Sequence, residues 1–409
     1  MDASSNLALP LYDVWPARPG VVPDYQGHGI VNLMESIAQA CGAVPADPRY
    51  PPCATAVDID TLARHRTVLL LVIDGLGYDL LCRRAAGGEI HSRLSARLSS
   101  VFPSTTVAAI TSFMTGRAPQ QHGLTGWFMY FRELGGVFAV LPGVLRGGRV
   151  AGGRNAHDSG IVFDGVPISD RLQRRSVVIC PRRIAGSNYN RTHCGRAEVR
   201  AYDTLDEFFL MLAQVSREAR DGPQFVYAYW PDIDTVGHEC GVDSRETDTL
   251  LAQLDERFGR LCRRLEGSGT FVLLTADHGM IDTDEAHTID LSSHPDLARL
   301  LDVPLCGERR APYCYVRNGY GDVFESCVRE ELGHCALLVP SRELIADGYF
   351  GFGDAHPALS DRIGDYVLLM RDNYVLCDWL PGECRYTQIG VHGGLSEAEM
   401  YVPLAAVSL

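Results

Sequence analysis

Three short, continuously apolar runs, each followed closely by an acidic residue, restrict most strongly what this chain can fold into. The first covers residues 68–73 in "RTVLLLVIDGLGYDLL" and stops at Asp74. The second, "QFVYAYW", runs into "PDIDTVGH", and the third, "TFVLLTADHG", into Asp277 and His278. A strand apolar at every position, rather than at alternate ones, is buried on both faces, as in parallel sheets covered by helices. Between the second and third runs, residues 244–265 place Leu250, Leu251, Leu254, Phe258, Leu261 and Leu265 at the 3–4 spacing of a one-sided helix. Strand, helix, strand in that order implies a right-handed crossover within a parallel sheet. Open sheets of this kind bind ligands at the carboxyl edge of their strands. A single Asp there is as often a turn residue as a functional one. Three strands each delivering an acid to the same edge point to a site.

The bulk numbers narrow the class. The 409 residues are 46% hydrophobic and 22% charged, ample for a large core. A net charge of −14, with arginine and no lysine as the basic component, argues against nucleic-acid polymers and anionic membranes as partners. Thirteen cysteines, an odd number without a C-x-x-C pair, fit neither a disulfide framework nor a cysteine zinc site. They read as small buried hydrophobes in a reducing compartment. The opening "MDASSNLALPLYDVWPARPG" lacks the basic-then-apolar order of a secretion signal, and "TVLLLVI" is too short to cross a bilayer. A cytoplasmic location is the expectation.

Along the chain, residues 1–65 read as an N-terminal extension packing on the core, with Pro-rich loops around one helix near 31–41. Residues 66–280 read as the first part of the core, with a Gly- and Arg-rich stretch at 135–200 expected to form loops over the active edge. Residues 281–385 mix short strands ("APYCYVR", "HCALLVP", "YVLLMRDNYVL") with a helix ("GDVFESCVREELG"), the pattern of a small inserted α+β lid. The chain returns to the core over 386–409, at "GVHGGLS".

Candidate ligands cluster in these motifs. Asp234 and His238 lie four residues apart, which puts them on one face of a helical turn. Asp277 and His278 leave a strand together, and His392 sits among glycines. Three Asp and three His suit Zn²⁺ and also accept Mn²⁺ or Fe. Six ligands exceed the needs of one tetrahedral ion, so two divalent metals fit better. His122 reads as a loop-fixing residue rather than a ligand. The stretch "VFPSTTVAAITSFMTGRAPQQHGLTGW" adds a hydroxyl. It predicts a helix with Ser104 or Thr105 as N-cap, an uncharged run over 107–115 and a stop at Gly116. A hydroxyl at a helix mouth is ordinarily a cap. Beside a dimetal centre it can instead lose its proton and attack phosphorus in line, leaving a phospho-threonine. Two divalent ions, three carboxylates and one alkoxide sum to a site near neutral, able to orient a singly charged phosphodiester.

The strings "VIDGLGYD", "FPSTTVAAITSFMTG-x-x-P-x-x-HG", "PD-x-D-x-x-GH-x-x-G", "TADHGM" and "HGG" resemble the alkaline phosphatase superfamily, and within it the nucleotide pyrophosphatase/phosphodiesterase branch. The resemblance runs in the family's order from about residue 67 to 405, with little in the lid. It implies an alkaline phosphatase-like α/β fold, with a mostly parallel central sheet flanked by helices. It assigns one metal to Asp74, Asp277, His278 and the nucleophile, and the other to Asp234, His238 and His392. It places the nucleophile on Thr106 rather than Thr105. The C/S-x-P-x-R pattern of the sulfatase branch is absent. One departure stands out: where the family carries a phosphate-binding Asn, this chain has Trp127. Either a backbone N–H near Thr106, or Thr125, then supplies the contact, or substrate binding differs. Trp127, Phe128 and Tyr130 are either a stacking wall for the substrate or plain core.

The expected activity is dimetal-dependent hydrolysis of a small phosphodiester or pyrophosphate through phospho-Thr106. A phosphomonoesterase or phosphonate hydrolase on the same site is the nearest alternative. A phosphomutase needs a larger insert and more basic anchors, and a catalytically inactive binding protein would not need all six ligands and the hydroxyl.

Overall fold

The computed structural model describes residues 20–54, 58–147, 162–163, 165–218, 222–383 and 385–409. Two seven-stranded sheets organise it. In the larger, the order is Leu94–Ser99, Tyr401–Ser408, Thr270–Thr275, Thr67–Ile73, Gln224–Trp230, Arg175–Pro181, Glu198–Tyr202. Strand Thr67–Ile73 is central and pairs in parallel with Gln224–Trp230 and Thr270–Thr275. All seven of its residues are buried, as are all those of the other two apolar runs, because helices cover the sheet. Tyr401–Ser408 runs antiparallel to both of its neighbours. The amphipathic helix is Arg245–Leu265, capped by Ser244, whose hydroxyl accepts the Thr247 N–H.

The second sheet is antiparallel throughout: Ala336–Pro340, Tyr366–Met370, Ala311–Cys314, Cys306–Glu308, Phe128–Phe131, Gly136–Ala139, Val144–Leu145. Its members come from two distant parts of the chain, joined where Gly307 pairs with Phe128. The strands expected at 281–385 therefore do not form a sheet on their own; residues 128–145 complete it.

The loop expectation for 135–200 needs correction. Gly136–Ala139 and Val144–Leu145 belong to the second sheet, while Arg175–Pro181 and Glu198–Tyr202 extend the main one. "SVVIC" is as apolar as the other core strands, but an Arg-rich neighbourhood obscured it. Residues 148–161 and 164 of that stretch lie outside the described residues, as do 1–19 and 55–57 of the N-terminal extension. The helix expected at 31–41 is Ile30–Ala40, and ten of its eleven residues are buried. Its apolar residues join the main hydrophobic core.

One buried ion pair ties the two sheets at the site. Arg310, beside strand Ala311–Cys314, donates through Nε and Nη2 to the Glu399 carboxylate at 3.1 Å each. Glu399 also accepts the Gly394 N–H at 2.8 Å, which pins the loop that follows His392. Arg310 holds the buried Glu399 carboxyl below the usual range although desolvation opposes it. No disulfide joins the described cysteines to one another. No helix among the described residues is long and apolar enough to cross a membrane.

Candidate active site

The three strand-end acids meet at the carboxyl edge of the main sheet. Asp74 follows strand Thr67–Ile73, Asp277 follows Thr270–Thr275, and Asp234 lies in the first turn of helix Asp232–Cys240. Gly75 allows the approach. It has φ +75, and a Cβ there would come 2.9 Å from the Asp234 Cα. The Asp234 N–H donates to the Asp74 carbonyl at 3.1 Å, and the Gly75 N–H to Asp277 Oδ1 at 3.1 Å. His238 sits one turn along the same helix as Asp234, with Nε2 3.3 Å from Asp234 Oδ1. His278 places Nε2 3.3 Å from Asp74 Oδ1 and 3.6 Å from Asp277 Oδ2. His392, arriving from strand Gly390–Val391, places Nε2 3.6 Å from Asp234 Oδ1.

The imidazoles share one orientation. Nδ1 of His278 lies 3.1 Å from the Gly279 carbonyl, Nδ1 of His238 2.7 Å from that of Gly390, and Nδ1 of His392 3.1 Å from that of Ser104. A carbonyl only accepts, so each Nδ1 carries the proton and each Nε2 presents its lone pair to the acids. The carboxylates are equally poised. Asp74 Oδ1, Asp234 Oδ1 and Asp277 Oδ2 are buried with no hydrogen-bond partner among the described residues. Buried carboxylate oxygens are rarely left so. Burial, followed by the charges of Asp277 and Asp234, pushes the Asp74 carboxyl well above the usual range, and burial also raises Asp277. Burial, reinforced by His278 and His238, drives His392 well below the ordinary imidazole value. This surplus of lone pairs and negative charge is what a pair of divalent cations satisfies. Two groups come close enough to share an ion: Asp74, Asp277 and His278, and Asp234, His278 and His392. His238 reaches Asp234 but falls outside the second group, and His278 borders both.

Thr106 opens helix Thr106–Thr115, and its Oγ1 lies 3.2 Å from His278 Nε2. Thr105 is the N-cap by position, but its side chain makes no cap bond. Its hydroxyl donates instead to Glu308 Oε1 at 2.6 Å, and Ser104 donates to the Gly394 carbonyl at 2.8 Å. The expected capping role of these two side chains is thus corrected: both hydroxyls hold other segments against the helix mouth. Gly116, with φ +66, ends the helix as expected. His122 is buried between the Ser112 hydroxyl and the Leu124 N–H, a loop-fixing residue.

A pocket of about 400 Å³ opens over this edge, lined by Thr105, Thr106, Asp234, His238 and His392 on one side and by the second sheet on the other. Of the replacements expected for the family's Asn, Thr125 does not line the pocket, whereas Thr106 does. The Trp127 N–H is taken by Glu308 Oε1 at 2.7 Å. The Thr125 hydroxyl is fully buried, away from the pocket lining. Trp127 and Phe128 do line the pocket, whereas Tyr130 packs edge-on against Tyr315 at 5.4 Å. The sequence reading missed Glu308, Arg309, Arg146, Trp379 and Tyr386, all on the pocket wall. Nothing local marks them. Burial pushes the Glu308 carboxyl up to about 7, against its bonds from Thr105 and Trp127.

A mostly parallel sheet with six Asp and His side chains and a hydroxyl gathered at its carboxyl edge defines an alkaline phosphatase-like α/β protein. The family model for type I phosphodiesterase/nucleotide pyrophosphatase matches residues 68–395, and the chain belongs to that family. The solved structure of murine ectonucleotide pyrophosphatase/phosphodiesterase 5 superposes with a TM-score of 0.63 at 18% identity, covering 83% of this chain and 87% of that one. A second structure of the murine protein, an inactive threonine-to-alanine variant in complex with AMP, gives 0.62 at 18% identity, with the same coverage. Human ectonucleotide pyrophosphatase/phosphodiesterase family member 5 is 31% identical over 72 residues, 17% of this chain and 15% of that protein.

Proposed function

We propose that the chain is a dimetal phosphodiesterase or nucleotide pyrophosphatase that works through a covalent phospho-threonine at Thr106. The observation that carries this is the shared aim of the site: three Nε2 lone pairs and three unpartnered carboxylate oxygens converge beside the Thr106 hydroxyl. Asp74, Asp277, His278 and Thr106 would hold one divalent cation, and Asp234, His238 and His392 the other, with Zn²⁺ the best match to this donor set. Such a pair supplies positive charge that lowers the proton affinity of the hydroxyl and offsets charge on the phosphoryl oxygens. Thr106 Oγ then attacks phosphorus, the bond to the leaving-group oxygen breaks opposite it, and water later cleaves the Oγ–phosphorus bond. Backbone bonds to the three Nδ1 atoms fix the ring orientations throughout. The inactive threonine variant of the murine relative, seen with AMP, supports both a threonine nucleophile and a small phosphate-ester ligand for this chain.

The near-neutral charge of the loaded site favours a singly charged diester or pyrophosphate bond over a dianionic monoester. Metal-loaded protein should show a higher kcat/KM for bis(p-nitrophenyl) phosphate than for p-nitrophenyl phosphate. A monoester preference of tenfold or more, about 1.4 kcal/mol of transition-state binding, overturns the diester assignment.

A further inference from the structure

Two arginines line the pocket, and they differ in how their charge is used. Arg146 is almost fully buried, donates to Asp378 at 2.6 Å and to Glu383 at 3.0 Å, and lies over the Phe128 ring. Its charge is spent inside the wall. Arg309 makes no ion pair and no side-chain hydrogen bond among the described residues. Its guanidinium carbon lies over two rings instead, 4.6 Å from the centroid of Tyr386 and 5.0 Å from that of Trp379, which stand edge to face with each other at 79°. Contacts of this kind are cation–π interactions and involve no hydrogen-bond acceptor, so guanidinium N–H groups remain able to donate to a ligand. Arg309 also follows directly on Glu308, the residue that takes the Thr105 hydroxyl beside Thr106. Among the described residues no carboxylate pairs with this cation, which sits over two aromatic rings on the pocket wall of a chain with net charge −14.

Resting on the phosphodiesterase reading, we infer that Arg309 is a specificity-determining residue that binds a second phosphate of the substrate, beyond the phosphorus attacked by Thr106. A planar fork of N–H donors matches two phosphate oxygens at once. The substrate class it selects is a diphosphate or polyphosphate ester, in preference to a diester carrying one charge. The near-neutral metal site accommodates the reacting phosphoryl group, and Arg309 pairs with the next one.

The test compares kcat/KM for ATP and for bis(p-nitrophenyl) phosphate on the metal-loaded wild type, Arg309→Gln and Arg309→Lys. The ratio of ATP to diester should fall tenfold or more in Arg309→Gln and recover in part in Arg309→Lys, which restores the charge without the fork. A ratio that moves less than tenfold in Arg309→Gln overturns the assignment. Calorimetric titration with inorganic pyrophosphate and inorganic phosphate reads the same residue without turnover. Arg309→Gln should weaken pyrophosphate binding at least tenfold more than phosphate binding, and equal losses refute the inference. A wild type that cleaves neither ester sinks the phosphodiesterase reading, while the titration still judges Arg309.

Discussion

Replacing each of the two adjacent threonines by alanine should separate stability from chemistry. Thr105 is fully buried and gives its hydroxyl to Glu308 at 2.6 Å, so Thr105→Ala leaves that carboxylate with the Trp127 N–H as its remaining donor. Above about pH 7, where the Glu308 carboxyl is ionised, a hydrogen bond to a charged group contributes about 1.5–3 kcal/mol, so a loss of about 2 kcal/mol is expected there, roughly a 30-fold shift in the unfolding equilibrium. Thr106 makes one longer contact, 3.2 Å to His278, and its removal should cost about 1 kcal/mol or less. The kinetic order is reversed. Thr106→Ala removes the attacking atom and should lower kcat by on the order of 10³ or more, about 4 kcal/mol, whereas Thr105→Ala should stay within tenfold of wild type. Urea unfolding of metal-free protein and turnover of metal-loaded protein supply the two readouts, and peptide mass spectrometry of acid-trapped protein locates the phosphoryl group. The double variant Thr105→Ala with Glu308→Gln should be less destabilised than the sum of the singles, because the two side chains share one interaction. Phosphate mapped to Thr105, a Thr106→Ala variant keeping more than a tenth of wild-type kcat, or a Thr105→Ala variant as stable as wild type would refute this reasoning.

Metal analysis should find two divalent ions per active chain; Asp277→Ala should abolish activity and lower metal content while circular dichroism stays native, and a fully active preparation holding one ion contradicts the dimetal site. In metal-free protein the folded chain binds the Glu308 proton more tightly than the unfolded chain, since its folded pKa is raised to about 7. That stabilisation is complete below about pH 4.5 and lost as pH rises through about 7, a span worth about 3 kcal/mol, so Glu308→Gln should flatten the fall in urea midpoint across this window. An unchanged slope in Glu308→Gln assigns the pH dependence elsewhere. Glu399→Ala strands Arg310 in a buried position and should cost about 3–5 kcal/mol, read as a lowered melting temperature; a change under about 1 kcal/mol would deny the pair its role in holding the two sheets together.

The three apolar strands, the helix Arg245–Leu265 and the Asp74, Asp234, His238, Asp277, His278 and His392 set were legible in the sequence because each rests on a local rule. Burial on both faces demands an unbroken apolar run, and ligands leaving a strand or sharing a helical turn keep a fixed spacing. The helix start at Thr105 and Thr106 was legible for the same reason, while the choice between the two hydroxyls came from the family resemblance. What packs against that start was not. The Thr105 hydroxyl looked like a cap until the second sheet brought Glu308 within 2.6 Å, across about two hundred residues of chain. The sheet itself escaped the sequence reading because Phe128–Phe131 and Cys306–Glu308 are short, mixed strands whose pairing leaves no periodic trace in either segment. Arg146 and Arg309 are indistinguishable as letters in an arginine-rich chain. Only tertiary structure gives one of them two carboxylates and sets the other over two aromatic rings with no carboxylate among the described residues, because an ion pair is decided by which distant side chains arrive within reach.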